Sequence, residues 1–190
     1  MSRYPTVNTS GNKSRFIEMS NEKYDRIRIG DVCDLVNGRA FKPSEWKSLG
    51  LPIVRIQNLN DPSAEYHYYD GSVEERFIID NGDLLFSWSG TPGTSFGSFI
   101  WLGDKAILNQ HIFKVKEKPM ILRTFLKISF DANIDRIITK AHGGAGLKHI
   151  TKSELENIEI TLPPLEKQKY YVAFMEHADK SGFIASNRGL

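Results

Sequence analysis

Carboxylates and histidines are the residues of this sequence that could perform hydrolytic chemistry around a bound metal. Seven acidic residues lie between positions 61 and 83, and His111 follows them. Such a set could hold a divalent metal in a small nuclease, but its spacings match no compact calcium loop. A solvated acidic edge explains these residues more simply. The seven are Asp61, Glu65, Asp70, Glu74, Glu75, Asp80 and Asp83.

A glycine-rich string at residues 143–149 is a second candidate, because phosphate-binding loops are rich in glycine. Here Leu147 stands where a glycine should precede the lysine, and His149 replaces the required serine or threonine. The histidines and Cys33 lack the spacing of a metal site. The glycine-rich string therefore predicts a loop that leads into a helix rather than a nucleotide site.

A loop rich in hydroxyl groups, glycines and aromatic rings, residues 87–97, offers binding chemistry instead. Its backbone amides and hydroxyls could approach phosphate oxygens, and its rings could lie against sugars or bases. A hairpin loop that needs positive φ would explain the glycines equally well. The contacts expected from this loop are Ser87, Trp88, Thr91 and Thr94.

Side chains that could hydrogen-bond to base edges occur elsewhere in the chain. Arginine, glutamine and asparagine can each form two hydrogen bonds to a base, which predicts base contacts from Arg39, Arg55, Gln57 and Asn58. An ion pair on a strand face explains Arg55 equally well. Basic residues beside the glycine string suit phosphates, whose contacts add salt-sensitive affinity without sequence information. These predicted phosphate contacts are Lys140, His142, Lys148 and Lys152.

The charge of the chain is unevenly distributed. Ten basic and three acidic residues lie between Lys105 and Lys152, an excess of seven positive charges in a chain whose net charge is +2. A distribution of this kind can attract a polyanion to one face and repel it from another. A solvated helix face with ordinary turns is the alternative interpretation.

Length and composition limit the class of protein. The chain has 190 residues, 40% of them hydrophobic, which predicts one folded domain with short appendages and excludes a disordered tail. Cys33 is the only cysteine, so no intrachain disulfide can form and we expect a cytoplasmic protein. No apolar run approaches the roughly 18 residues of a membrane helix, and no secretion signal is recognisable.

Short strands precede helices in the predicted order of elements. The turn signal Asn81-Gly82-Asp83 separates two of the strands, Thr151 to Glu154 has the form of a capping box, and residues 165–181 predict a long helix. A helical pair is expected after Pro119. This order favours an α+β fold, with a twisted mixed or antiparallel sheet, packed helices and a protruding C-terminal helix. The predicted strands are 26–29, 32–36, 52–57, 76–79, 83–88, 95–101, 111–116 and 158–162.

The string Leu162-Pro163-Pro164-Leu165-Glu166-Lys167-Gln168 resembles the exit from a target recognition domain in the specificity subunits of type I restriction-modification enzymes. The resemblance covers about residues 24 to 181. Five further strings resemble the family in the same order: Ile29-Gly30-Asp31-Val32, Leu51-Pro52-Ile53-Val54-Arg55-Ile56, Asn81-Gly82-Asp83-Leu84-Leu85-Phe86-Ser87, Leu108-Asn109-Gln110-His111 and Leu147-Lys148-His149-Ile150-Thr151.

The resemblance implies a non-catalytic subunit that reads double-stranded DNA for other subunits. It implies a methyltransferase partner that uses S-adenosylmethionine and an endonuclease and translocase partner that uses ATP and magnesium, with no cofactor on this chain. It further implies a leader at 1–23, a recognition domain at 24–162 and a spacer or dimerisation helix at 163–190.

The family carries two recognition domains held apart by long helices, whereas this chain carries one. Asn12 to Met19 resembles the end of the helix before a second domain. The chain is therefore expected to be a half-subunit that dimerises, the product of an exchangeable gene cassette or a truncated remnant. In a homodimer, an exposed helical stripe of Leu165, Val172 and Met175 would be the seam. A truncated module that only docks onto the methyltransferase, and the metal-dependent nuclease, remain the alternatives.

Overall fold

The computed structural model describes residues 24–144 and 146–186, with side chains described as far as residue 177. The predicted helix at Asn12 to Met19 lies outside these residues. The strands are β1 Arg26–Arg28, β2 Cys33–Asn37, β3 Leu51–Val54, β4 His67–Tyr69, β5 Ile78–Ile79, β6 Leu84–Ser87, β7 Ser89–Gly90, β8 Gly97–Ile100, β9 Ala106–Leu108, β10 Ile112–Glu117, β11 Lys148–His149 and β12 Glu159–Thr161. The α-helices are α1 Ile29–Val32, α2 Ile56–Asn60, α3 Arg123–Ala132, α4 Ile134–Lys140, α5 Lys152–Glu156 and α6 Leu165–Ser186.

Two four-stranded sheets form the body of the described chain. The first has the antiparallel order β2-β10-β6-β8, and the second has the mixed order β4-β3-β9-β5, in which β3 and β9 are parallel. Two short antiparallel pairs, β1 with β12 and β7 with β11, complete the pairing. The predicted α+β class with a mixed or antiparallel sheet is confirmed.

Alternate side chains of a strand point to opposite faces of a sheet. The strands of the first sheet contribute side chains to two cores, one on each face. Phe86 of β6 packs with Phe125 and Phe130 of α3 in the larger core. Its neighbour Leu85 packs with Ile112 and residues of the second sheet in a smaller core. Each fully buried phenylalanine stabilises the fold by about 1.5–3 kcal/mol, so the two cores hold the helices and the second sheet against the first.

Helix α6 is fixed to the domain by one buried polar side chain. Gln168 is fully buried; its Nε2 donates to the carbonyls of Met120 at 3.0 Å and Pro163 at 2.8 Å. Its Oε1 accepts from the backbone N–H of Leu122 at 2.9 Å. The string that ends in Gln168 therefore places a carboxamide where it joins the start of α6 to the residues that lead into α3.

The predicted exposed stripe on this helix is corrected by the structure. Met175 has no exposed surface, Val172 packs against the larger core, and only Leu165 is exposed, at 39%. Tyr171 is also buried, 6.2 Å from Phe125 between ring centroids. The apolar stripe is occupied by the domain itself, because α6 packs on α3 rather than standing free.

Several local predictions are confirmed and others are wrong. Val32, predicted to begin a strand, ends α1, and of the strand predicted over 76–79 only Ile78 and Ile79 are in a strand. The helical pair after Pro119, the Thr151 capping box, the turn at Gly82 and the strand before Pro163 are all present. The strand predicted over 52–57 ends at Val54, and residues 56–60 form α2 instead. No helix in the described part of the chain is long and apolar enough to cross a membrane.

Candidate nucleic-acid interface

The pairing of β7 with β11 brings together two loops that the sequence separates by more than fifty residues. Lys148 pairs with Gly90 and His149 with Ser89. The hydroxyl of Thr91 donates to the carbonyl of Gly146 at 2.8 Å. The hydroxyl-rich loop and the glycine loop therefore form one surface, which we call the paired-loop surface (residues 88–96, 141–144 and 146–152).

The predicted phosphate contacts lie on this paired-loop surface or at its edge. Lys140, His142 and Lys152 are exposed, and Lys148 is half-buried with its Nζ donating to the carbonyl of Gly143 at 3.1 Å. Lys152 also lies 3.6 Å from Glu156. Three lysines in one region supply positive charge that a polyanion requires.

Glu154 limits that charge. It accepts hydrogen bonds from the hydroxyl and the backbone N–H of Thr151, and its Oε1 lies 2.6 Å from Nε2 of His142. The Thr151 side-chain and backbone hydrogen bonds, followed by the contact with His142, lower the pKa of Glu154 to about 2. Glu154 is therefore ionised at neutral pH and holds the His142 ring in place.

The hydroxyl groups of the first loop mostly hold the loop together. Ser87 is fully buried and donates to the carbonyl of Ser89 at 3.0 Å. Thr94 donates to the carbonyl of Thr91 at 3.2 Å, and Thr91 is bonded to the glycine loop. The expectation that Ser87 contacts DNA is corrected here, because a fully buried hydroxyl cannot reach a duplex; it shapes the turn instead.

Trp88 connects the paired-loop surface to Asn37 at the end of β2 and to His111. Its Nε1 donates to Oδ1 of Asn37 at 3.0 Å, and its ring lies edge-on to the ring of His111 with 5.0 Å between centroids. The side chain is half-buried, so its orientation is fixed while part of the ring remains accessible. An aromatic ring held in this way suits contact with a sugar or base.

Arg39 lies beyond Asn37 and is held between aromatic rings. Its guanidinium carbon is 4.3 Å from the ring centroid of Phe41 and 4.6 Å from that of Tyr69. One terminal nitrogen pairs with Glu45 at 2.6 Å, and the other is buried without a partner in the described residues. Stacking and the ion pair fix the guanidinium before any ligand arrives.

Arg55 occupies a second arginine and aromatic cluster. Its guanidinium carbon is 5.7 Å from the ring centroid of Trp46, which stacks on His67 with 3.9 Å between centroids. Its terminal nitrogen donates to the carbonyl of Glu65 at 3.4 Å. Within the described residues Arg55 forms no ion pair, so the ion-pair explanation does not hold there.

Asn58 and Gln57 follow Arg55 on α2 and differ in exposure. Asn58 is fully buried: Oδ1 accepts from the N–H of Arg55 at 3.0 Å, and Nδ2 donates to the carbonyls of Ala64 and Glu65. The expectation that Asn58 contacts bases is corrected, because its carboxamide is already used to fold the segment that carries Arg55. Gln57 is exposed and remains a candidate.

Residues 109–111 lie between these groups and were not predicted as contacts. They join β9 of the second sheet to β10 of the first, and we call them the crossover loop. Asn109 forms a bridge with Arg39, and His111 contacts Trp88. The signal in the sequence is three successive hydrogen-bonding residues between two apolar strands, without glycine or proline.

The acidic stretch shows no metal-binding geometry in the described part of the chain. No group of three or more metal-binding side chains comes together among those residues. Asp83 forms an ion pair with Lys114 at 2.8 Å, and Asp61 accepts hydrogen bonds from Ser63. These carboxylates have structural partners, which weakens the nuclease alternative.

Comparison with known proteins gives consistent results. The profile of the type I restriction modification DNA specificity domain matches residues 21–189. The EcoBI specificity subunit of a type I restriction enzyme from Escherichia coli is 26% identical over 152 residues, which are 78% of this chain and 31% of that protein. The MjaVIII specificity subunit from Methanocaldococcus jannaschii is 29% identical over 163 residues, 83% of this chain and 36% of that protein.

The fold is similar to that of a solved structure as well. The HsdS subunit from Thermoanaerobacter tengcongensis superimposes with a TM-score of 0.68 at 18% identity, over 95% of this chain and 47% of that one. The chain spans about a third of the length of the two curated relatives.

Proposed function

The chain belongs to the type I restriction modification DNA specificity domain family, and from this premise we propose that it is the sequence-reading subunit, or half-subunit, of a type I restriction-modification system. Its ligand is double-stranded DNA, and it performs no bond-making of its own. Partner subunits supply the adenine methyltransferase, with S-adenosylmethionine, and the endonuclease and translocase, with ATP and magnesium.

The observation that carries this proposal is the continuity of the interface. The paired-loop surface, Trp88, the crossover loop and the two arginine clusters follow one another through direct contacts: Thr91 with Gly146, Trp88 with His111, and Asn109 with Arg39. Lysines lie at one end, where they suit phosphates, and hydrogen-bonding side chains lie in the middle, where they suit bases.

The same surface favours DNA reading over docking without DNA preference. A docking surface has no need of fixed, partly exposed arginines, whereas Arg39 is positioned by two rings and a carboxylate. The rings and the carboxylate hold this guanidinium in one orientation, which suits a positioned cationic contact with DNA. A truncated docking module therefore ranks second.

Binding and methylation test the proposal in two steps. The purified chain is titrated into duplexes drawn from a random-sequence library at several salt concentrations. We expect selective binding that weakens steeply with salt. The chain is then combined with the methyltransferase subunit of the same organism, and the adenines that become methylated are sequenced.

The outcomes separate the alternatives. A two-part symmetric methylated motif supports a homodimer, because two identical readers recognise matching half-sites. Copurification with the methyltransferase but no DNA preference, alone or in the complex, supports the docking module and overturns the proposal. Cleavage of DNA by the purified chain with magnesium would support the nuclease.

A further inference from the structure

The crossover loop is held rigidly by backbone hydrogen bonds from three directions. Gly38 allows this packing: a Cβ there would lie 2.1 Å from the carbonyl oxygen of Asn109, which no structure tolerates. The loop's position is therefore fixed before a ligand binds. The bonds run from Arg39 N to Leu108 O at 2.9 Å, Gly38 N to Ile112 O at 3.0 Å, Asn109 N to Val54 O at 3.0 Å and Trp88 N to His111 O at 3.2 Å.

The side chains on this rigid loop have unused hydrogen-bonding capacity. Asn109 and Gln110 are half-buried, and neither carboxamide has a hydrogen-bond partner in the part of the chain that the structure describes. The Nδ1 atom of His111 is buried and equally without a partner there. By contrast, the carboxamides of Asn58 and Gln168 each form three hydrogen bonds.

A buried polar atom without a partner is costly, because it has lost water without gaining a replacement, and of these three side chains only His111 has such an atom, Nδ1. The carboxamides of Asn109 and Gln110 are not buried in this way, so they are accessible to water and to a ligand. Two accessible carboxamides and a histidine in succession, on a backbone held in place, form a surface available to a polar ligand.

The surroundings of the loop identify that ligand. Arg39 and Asn109 form a backbone β-bridge. Arg55 directly follows Val54, whose carbonyl accepts a hydrogen bond from the backbone N–H of Asn109. Trp88 and the basic paired-loop surface lie on the other side, through the contact with His111. The loop thus lies at the centre of the cationic interface, where the most discriminating contacts of a binding surface are found.

A carboxamide carries one acceptor and one donor group side by side, which matches the N6 amino group and N7 of adenine in the major groove. We infer that Asn109 and Gln110 read one or two adenine-containing base pairs of the target, with the crossover loop presented to the major groove. This inference rests on the proposed function and names the residues and the base that carry specificity at its centre.

Protein and DNA variants together test the inference. The preferred sequence of the wild-type chain is determined first by selection from a random duplex library. Asn109→Ala and Gln110→Ala are then compared with wild type on that sequence and on duplexes with 7-deazaadenine, which lacks the N7 acceptor, at each adenine in turn. Wild type should lose on the order of 10- to 100-fold in affinity at one or two of these adenines.

The variants should lose a similar factor on the natural duplex and show no further loss on the matching 7-deazaadenine duplex, since the contact is already gone. The dependence of affinity on salt should not change, because base contacts release no phosphate counterions. Gln110→Glu keeps the acceptor oxygen but loses the donor, and should move the preference at that position from adenine toward cytosine.

Asn81→Ala is the matched control. Asn81 is an exposed carboxamide residue that precedes β6. Trp88 follows β6, so Asn81 lies at the end of this strand away from the proposed interface. The variant should bind with wild-type preference. Thermal melting of each variant confirms that the fold is retained.

Three outcomes are separable. If wild type selects no sequence, either alone or combined with the methyltransferase subunit, the proposed function fails. If wild type is selective but the Asn109 and Gln110 variants keep its preferences, only the inference fails. If those variants bind every duplex more weakly with a shallower salt dependence, the loop contacts phosphates, and the inference is again overturned.

Discussion

Replacing Gln168 with leucine removes the three hydrogen bonds that fix α6 to the domain. The substitution keeps the volume but leaves the carbonyls of Met120 and Pro163 and the N–H of Leu122 without their partner. A typical intramolecular hydrogen bond contributes about 0.5–1.5 kcal/mol net, and an unpaired buried group costs more. We therefore expect Gln168→Leu to lower the free energy of unfolding by about 2–4 kcal/mol.

Urea unfolding followed by tryptophan fluorescence measures the loss, with far-UV circular dichroism as a second probe of the same transition. Lys169→Gln is the control on the same helix: it removes only the exposed pair with Glu166, at 2.7 Å, and should cost under about 0.5 kcal/mol. A Gln168→Leu protein as stable as this control would refute the view that the carboxamide fixes α6.

Three further predictions follow from residues at other sites. Gly38→Ala should lower the melting temperature by at least about 8 °C, because its Cβ would meet the backbone carbonyl of Asn109 at 2.1 Å; an unchanged melt would contradict this. Burial raises the pKa of the Cys33 thiol to about 12, so the native protein should resist alkylation at pH 8 and the urea-unfolded protein should not. Because the unfolded thiol ionises at lower pH than the native one, stability should fall as pH rises above about 9. Lys148→Ala should weaken binding to all duplexes alike and reduce the salt slope by about one; a change in sequence preference would argue against a phosphate contact.

Elements defined by neighbouring residues were predictable from the sequence. The capping box needs only Thr151 and Glu154, three positions apart, and the structure shows both of its hydrogen bonds. The turn at Gly82 follows similarly from Asn81-Gly82-Asp83, with φ of +88° at the glycine. In such cases the local chain supplies both the donor and the acceptor, so little depends on the rest of the fold.

Features that depend on distant partners were not predictable. The alternation in residues 52–57 indicated a strand, but Asn58 bonds to the carbonyls of Ala64 and Glu65 and closes a helical turn after Val54. The stripe containing Met175 indicated an exposed seam, because the sequence does not show that α6 packs on α3. An apolar stripe predicts that one face of a helix is buried, but it does not identify the element that packs against that face.

The candidate site shows the same division. The chemistry of the two loops around Trp88 and Lys148 was evident from their residue types, yet only the pairing of β7 with β11 places them together. The string containing the crossover loop was recognised as resembling the family, but Asn109 and Gln110 were not predicted as contacts, because only the fold shows that their carboxamides have no partner in the described residues. Whether a side chain lacks a hydrogen-bond partner can be determined only when the positions of its neighbours in the fold are known.

The pairing of β1 with β12 has a consequence for how such a domain can be transplanted. Ile27 lies opposite Ile160, and the backbone bonds continue from Leu162 N to Asp25 O at 3.1 Å, so the chain before β1 and the chain after β12 run side by side. Opposed residues in an antiparallel pair are about 5 Å apart. A segment exchanged between these two points would have a gap of one strand spacing to bridge. The host would also have to supply a helix in the place of α6, because Tyr171 and Met175 of that helix are buried in the larger core.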